Sequence, residues 1–233
     1  MESSTSSPLD NPALAALAGP HARFAERHGN AVRYQPDVCP MAALPDNPTI
    51  DDWADAAALV GAGTSMFLPV VDVTPPADWG LQMRMQGVQM VDDAVTAAPD
   101  DEAIELTTDD VPEMLDLVRR TEPGPFLPRT IELGTYLGIR RGGRLVAMGG
   151  ERLHLPGWTE ISAVCTDPDN RGQGLGSRLI RALAHAIRLR GEVPFLHASA
   201  ANTNAIHLYE TLGFVLRREV MFQSFMAPQE IRR

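Results

Sequence analysis

Residues 165–191 read "CTDPDNRGQGLGSRLIRALAHAIRLRG", with Gly172, Gly174 and Gly176 at alternate positions directly ahead of an apolar run with helical spacing. A helix N-terminus presents unpaired N–H groups and the positive end of the helix dipole. Glycines just before it let an anion approach the backbone. The stretch Arg171, Gly172, Gln173, Gly174, Leu175, Gly176 and Ser177 therefore reads as a cradle for a phosphate or pyrophosphate, with Arg171 and Arg178 as nearby positive charges. Two nucleotide motifs fail on spacing. The P-loop needs a lysine, and the chain has none; the dinucleotide fingerprint needs a glycine where Ser177 stands.

A second group of reactive side chains follows in "NTNAIHLYETLGF", residues 202–214. Asn202 and Tyr209 are seven residues apart, which on a helix places them on one face about 10 Å apart along the axis. One extended ligand could touch both. A phenol with a pKa of about 10 keeps its proton at neutral pH and is available as a proton donor. Cys165 invites a covalent intermediate, but no activating base accompanies it, and a free cysteine is more often a buried apolar residue. His154, His185, His197 and His207 are scattered; His197 on its strand could face a ligand, but each is more often a surface or core residue, and none is assigned to a site.

These groups must be positioned by regular elements, and the second half of the chain supplies clear ones. The segment "AIELTT" (103–108) reads as a short strand. A helix follows over Asp110–Arg120, with Asp110 and Glu113 spaced as a capping box. The proline-broken loop "EPGPFLPRT" (Glu122–Arg129 and the next threonine) and Trp158 are candidates to line a ligand pocket, or simply a rigid connection. Gly142-Gly143 between "TYLGIRR" and "RLVAMGGERL" predicts a hairpin. The stretch 159–166, "TEISAVCT", is nearly continuous in apolar or small residues and predicts a central strand. A helix over Leu175–Arg190, stopped by Gly191, a strand "PFLHASA", a helix "NTNAIHLYETL" and a bent terminal strand "FVLRREVMFQSFM" complete the order.

Before residue 100 the signals are weaker. One or two short helices are expected in "NPALAALAGPHARFAERHG", a strand at "AVRY", a capped helix at "TIDDWADAAALVG", and strands at "SMFLPVV" and "GLQMRMQGVQMV". The acidic stretch Thr96–Ala103 reads as a linker. The expected organisation is α+β, with a smaller α+β domain over 1–100 ahead of a larger one over 101–233.

Composition bounds the partners. Hydrophobic residues make up 44% of the 233, enough for a substantial core. The formal net charge is −10, of which the first 100 residues carry −9, so nucleic acid is an unsuitable partner. No apolar run is long enough to span a bilayer, and the polar start lacks a signal-peptide pattern, so cytoplasm is the default expectation. Cys39 and Cys165 lie far apart with no metal-ligand spacing, so free thiols and no metal are expected.

The pattern R-x-x-G-x-G at Arg171, Gly174 and Gly176 resembles the phosphate loop of the GNAT acyltransferases, and "NTNAIHLYETLGF" resembles that family's N-x-x-A-x-x-L-Y-x-x-x-G-F segment. With the hairpin, strand, loop, helix and strand in between, the resemblance covers about residues 103–226. It implies a mixed, mostly antiparallel sheet with helices on both faces, and acetyl-coenzyme A bound where two parallel strands splay. It implies transfer of the acetyl group to a primary amine, on a small molecule or a protein, by direct attack in a ternary complex. By the same resemblance the loop 171–177 grips the pyrophosphate, and the backbone at Val164, Cys165 and Thr166 pairs with the pantetheine arm and supplies an oxyanion donor. Asn202 bonds the same arm, and Tyr209 protonates the leaving thiolate. Glu160 becomes a candidate general base, provided burial raises its pKa. The first 100 residues carry none of these motifs and are compatible with a degenerate half-copy of the fold. A homodimer is compatible with the reading, as is an acyl-coenzyme A sensor without turnover.

Overall fold

The most local signals become the firmest elements of the structure, a computed structural model that describes residues 7–230. In chain order the elements are α1 (Pro12–Ala18), β1 (Ala25–His28), β2 (Ala31–Tyr34), β3 (Ala42–Ala43), α2 (Ile50–Val60), β4 (Ser65–Leu68), β5 (Gly80–Asp92) and β6 (Ile104–Glu105). There follow α3 (Val111–Thr121), β7 (Tyr136–Arg141), β8 (Arg144–Leu155), β9 (Trp158–Thr166), α4 (Leu175–Leu189), β10 (Val193–Ser199), α5 (Thr203–Leu212) and β11 (Phe214–Met226). Gly142 and Gly143, at φ 55° and 82°, form the tight turn between β7 and β8. That pair of positive φ angles is what a two-residue hairpin loop requires.

Eight strands form one sheet in the order β4-β11-β5-β10-β9-β8-β7-β6, and β1, β2 and β3 form a small separate sheet. Within the large sheet only β9 and β10 pair in parallel; the other neighbours are antiparallel. On one face α4 buries Ile180, Leu183 and Ile187 against Ile161, Leu196, Val88 and Met90. On the other, α3 buries Met114 and Leu117 against Tyr136, Met148 and Cys165, and α1 packs Ala13, Ala16 and Leu17 against Leu153, Leu155 and Phe195. The mixed, mostly antiparallel α+β sheet with helices on both faces is thus present as the sequence implies.

The expected boundary near residue 100 does not divide the sheet. The 13-residue strand β5 pairs with both β10 and β11, and β4 pairs with β11, so strands from before residue 100 complete the sheet formed after it. The acidic connection is not a free linker either. Asp100 holds Arg178 through two bonds of 2.6 and 2.7 Å, and Glu102 holds it at 2.6 Å.

Two local expectations shift. The segment "AERH" is strand β1 rather than helix, because it pairs with "AVRY" from Ala25↔Tyr34 to His28↔Ala31. The capping box lies one turn earlier than Asp110/Glu113. Asp110 is its last member, accepting from the Thr107 backbone N–H at 2.8 Å, while Glu113 pairs with Arg140.

Candidate active site

The parallel pairing of β9 and β10 lasts three residues, Val193↔Trp158, Pro194↔Thr159 and Phe195↔Glu160. Beyond that point β9 stays with β8 and β10 stays with β5. The inner edges of residues 161–166 and 196–199 separate, leaving backbone donors and acceptors without a strand partner, which a buried edge must find elsewhere. A cleft of about 560 Å³ opens there and passes through the sheet. Ala205, Leu208 and Tyr209 line it from α5, and Met41, Phe67, Arg152 and Phe222 line it from the opposite face.

A bulge shapes its β9 wall. Ala163 and Val164 together oppose the single residue Gly149, with Met148↔Cys165 and Gly150↔Ser162 on either side. Ala163 sits at φ 54°, a left-handed value rare for a residue with a side chain. The extra residue reverses the alternation. Ile161 and Val164 both pack toward α4, whereas Cys165 packs toward α3. The bulge explains why "ISAVC" shows no period of two in the sequence.

The glycine loop follows β9 directly. Gly172 and Gly174 have φ 75° and 71°, and a Cβ at either would meet nothing within 4 Å, so backbone conformation rather than crowding selects glycine. Gly174 caps α4 without any side-chain hydrogen bond, leaving the first-turn N–H groups open. Arg171 is exposed and lines the cleft, its Nε donating to the Thr166 carbonyl at 3.4 Å. Arg178 is committed to Asp100 and Glu102 and is not an additional free charge. Asp167 is buried and anchors the loop through the Asp169 N–H at 3.0 Å, with Arg120 as its ion-pair partner.

On the far side of the cleft Asn202 caps α5, its Oδ1 accepting from the Ala205 N–H at 3.2 Å. Tyr209 is half-buried on the same helix, its ring 6.3 Å from Phe214, and burial pushes its phenol pKa up. Val164, Cys165, Thr166, Gly176 and Asn202 line the same cleft as Tyr209 and Arg171. The Cys165 thiol is buried and its pKa is raised by that burial, so it stays a protonated thiol rather than an activated nucleophile.

Glu160 is placed differently from the expectation. Burial alone pushes its carboxyl up, but the Arg152 guanidinium and the His197 hydrogen bond outweigh it and hold the pKa down at about 2. Arg152 donates from Nε to Oε2 at 2.8 Å and from Nη2 to Oε1 at 2.6 Å, and His197 Nδ1 lies 2.7 Å from Oε1. Both oxygens are engaged, and Glu160 does not line the cleft. A carboxylate so held is a structural anion rather than a base that reaches substrate.

Its surroundings also fix His197. Arg217 can only donate, and its Nη1 meets Gln89 Oε1 at 2.8 Å. Gln89 Nε2 therefore faces the Leu9 carbonyl at 2.9 Å and His197 Nε2 at 3.0 Å. His197 Nε2 must accept, so Nδ1 carries the hydrogen donated to Glu160. Although His197 borders the cleft, both its ring nitrogens are occupied.

The loop residues Glu122, Pro123, Gly124 and Pro125 line the cleft, whereas Trp158 does not, packing instead against the α1 core. Sequence reasoning missed Arg152, Met41, Phe67, Met85 and Phe222. The opposite charges of Arg152 in β8 and Glu160 in the next strand, β9, were the one available signal. Among the described residues no group of three or more His, Cys, Asp or Glu side chains could hold a metal ion. No described helix is long and apolar enough to cross a membrane.

Residues 136–223 match the family model described as FR47-like protein. The chain is 38% identical to a putative GNAT-family acetyltransferase of known crystal structure from Novosphingobium aromaticivorans, with TM-score 0.86 over 94% of this chain and 98% of that one. It is 30% identical to the [ribosomal protein bS18]-alanine N-acetyltransferase of Escherichia coli over 47% of this chain and 77% of that protein. It is 38% identical to mycothiol acetyltransferase of Thermobispora bispora, over 42% of this chain but only 34% of that relative's length.

Proposed function

This chain belongs to the GNAT family of acetyltransferases and is an acyltransferase, and from that premise we propose that it moves the acetyl group of acetyl-coenzyme A to a primary amine by direct attack. The observation that carries the reading is the splay between β9 and β10, which ends at an uncapped glycine-rich helix start and has Tyr209 on its wall.

Each part of the cleft has a task in this reaction. The N–H groups from Gly172 to Ser177, with Arg171, hold the pyrophosphate. The free edge of β9 from Val164 to Thr166 pairs with the pantetheine amides, and a backbone N–H of this segment donates to the developing oxyanion. A preorganised donor of that kind contributes about 3–4 kcal/mol in acyl transfer. Asn202 steadies the arm. Tyr209 keeps its proton until negative charge builds on the sulfur, and burial favours that by raising its pKa. Glu160 is not assigned the base. Glu122 is the one carboxylate among the described lining residues, and the proton of the incoming ammonium leaves past it to solvent.

Acetyl-coenzyme A is therefore expected to stabilise the fold, by about 2.7 kcal/mol at a hundredfold excess over its Kd. Gly174→Asp tests the loop. Asp tolerates a left-handed φ better than most side chains, and its Cβ has open space, so the fold should survive while the new carboxylate repels the phosphates. Titration calorimetry should show at least a tenfold weaker affinity for coenzyme A, while the left-handed φ at this position, strained by about 1–2 kcal/mol with a side chain, lowers the melting temperature of the free protein by only a few degrees. Wild-type affinity in that variant would remove the loop from the site. Transfer itself is tested by incubating the protein with acetyl-coenzyme A and a pool of primary amines, with mass spectrometry reading the acetylated product.

A further inference from the structure

We infer that Arg152 reads a neutral carbonyl oxygen on the acceptor, which makes the acceptor an α-amino amide with an apolar side chain rather than a free amino acid. The inference rests on the acyl-transfer reading of the cleft and adds the chemical class of the amine.

Three observations carry it. First, the Arg152 guanidinium has an unused donor group. Nε and Nη2 are fixed on Glu160, while Nη1 has no hydrogen-bond partner among the described residues. It is not sealed off either, because the side chain lines the cleft and is 13% exposed. The fork is rigid, since Glu160 is itself held by His197, and His197 by Gln89. A fixed donor at the wall of a cleft calls for an acceptor atom on the ligand.

Second, the charge balance of this face favours a neutral oxygen. Glu160 offsets the charge of Arg152, and the remaining charged lining residue apart from Arg171 of the glycine loop is Glu122. An ammonium group is welcome beside Glu122. A second carboxylate, as on a free amino acid, would add an uncompensated negative charge to a half-closed site. An amide oxygen takes the Nη1 hydrogen bond without that cost.

Third, the wall around Arg152 on this face is apolar. Met41 is buried, Phe67 and Phe222 stack at 6.4 Å, and Met85 stands beside them. Methionine and aromatic side chains suit an aliphatic group of variable shape.

Three ligands with one side chain separate these terms: L-leucinamide, L-leucine and 3-methylbutylamine, which carry an amide, a carboxylate and neither. Titration calorimetry with the protein saturated in coenzyme A is expected to show L-leucinamide binding about tenfold more tightly than either of the others. Arg152→Lys keeps the charge and can still pair with Glu160, but it loses the fork. In that variant, with its folding checked by thermal melting, the preference for the amide should fall to threefold or less. Equal affinity for the three, tighter binding of L-leucine, no binding of any of them, or an undiminished preference in a folded Arg152→Lys protein would each overturn the inference. If that variant does not fold, the wild-type ranking alone decides, against the same thresholds. Acetyl transfer is measured separately with 3-methylbutylamine at high concentration. Turnover there without amide preference leaves the transferase reading standing and removes only the role of Arg152.

Discussion

Tyr209→Phe is expected to bind coenzyme A as the wild type does and to lose turnover. The hydroxyl has no hydrogen bond among the described residues, and burial alone raises its pKa. The ring, packed against Phe214, is retained in phenylalanine. The substitution therefore removes a proton donor and little else. In the proposed reaction the hydroxyl acts as charge develops on the sulfur, so its loss is expected to fall on kcat rather than on affinity. General acid catalysis typically contributes 10²–10⁴-fold. Water can reach the cleft and a thiolate is a fair leaving group, so a fall of about 10²-fold is expected. Steady-state kinetics at saturating acetyl-coenzyme A and amine, beside a calorimetric Kd for coenzyme A, provide the check. An unchanged kcat would make Tyr209 a packing residue.

Glu160→Gln is expected to destabilise the fold by about 3–5 kcal/mol, the usual result of removing one partner from a buried ion pair. Arg152, at 13% exposure, would keep its charge without its counter-ion. For a chain of this size the melting temperature should fall by roughly 6–20 °C. Replacing both residues, as Glu160→Gln with Arg152→Met, should cost less than the single change, because the stranded charge is gone. The pH dependence follows from the direction of the shift. The folded-state pKa lies near 2, below the ordinary 4.5. The stabilisation is therefore complete above about pH 4.5 and is lost as pH falls toward 2. If Glu160 were the catalytic base, Glu160→Gln would instead remove turnover and leave the melting temperature in place.

The contrast between Glu160 and the glycine loop shows what a sequence discloses. Gly172, Gly174, the hairpin glycines and the Asn202 cap act within a few residues of themselves, so their spacing carries their structure. The environment of Glu160 depends on the registers that set Arg152 and His197 beside it, which are properties of three paired strands. For the same reason β5, β10 and β11 each read as strands, while the pairing of β5 with β10 and β11 from the far end of the chain does not. The segment "AERH" favours a helix by local propensity, and pairing with β2 overrides that preference. The wall of the cleft opposite α5 includes Met41, Phe67 and Met85, residues without any motif, brought together only by the tertiary fold.

Intact-protein mass spectrometry coupled to product analysis tests the central claim most directly. The protein is incubated with acetyl-coenzyme A, first alone and then with 3-methylbutylamine. Direct transfer predicts an unmodified protein in the first incubation, and free coenzyme A with N-acetylated amine in equal amounts in the second. Acetylated protein that hands its group to the amine, with Cys165 as the carrier, would contradict direct attack. Bound acetyl-coenzyme A that remains intact with every amine offered would contradict the transferase reading altogether.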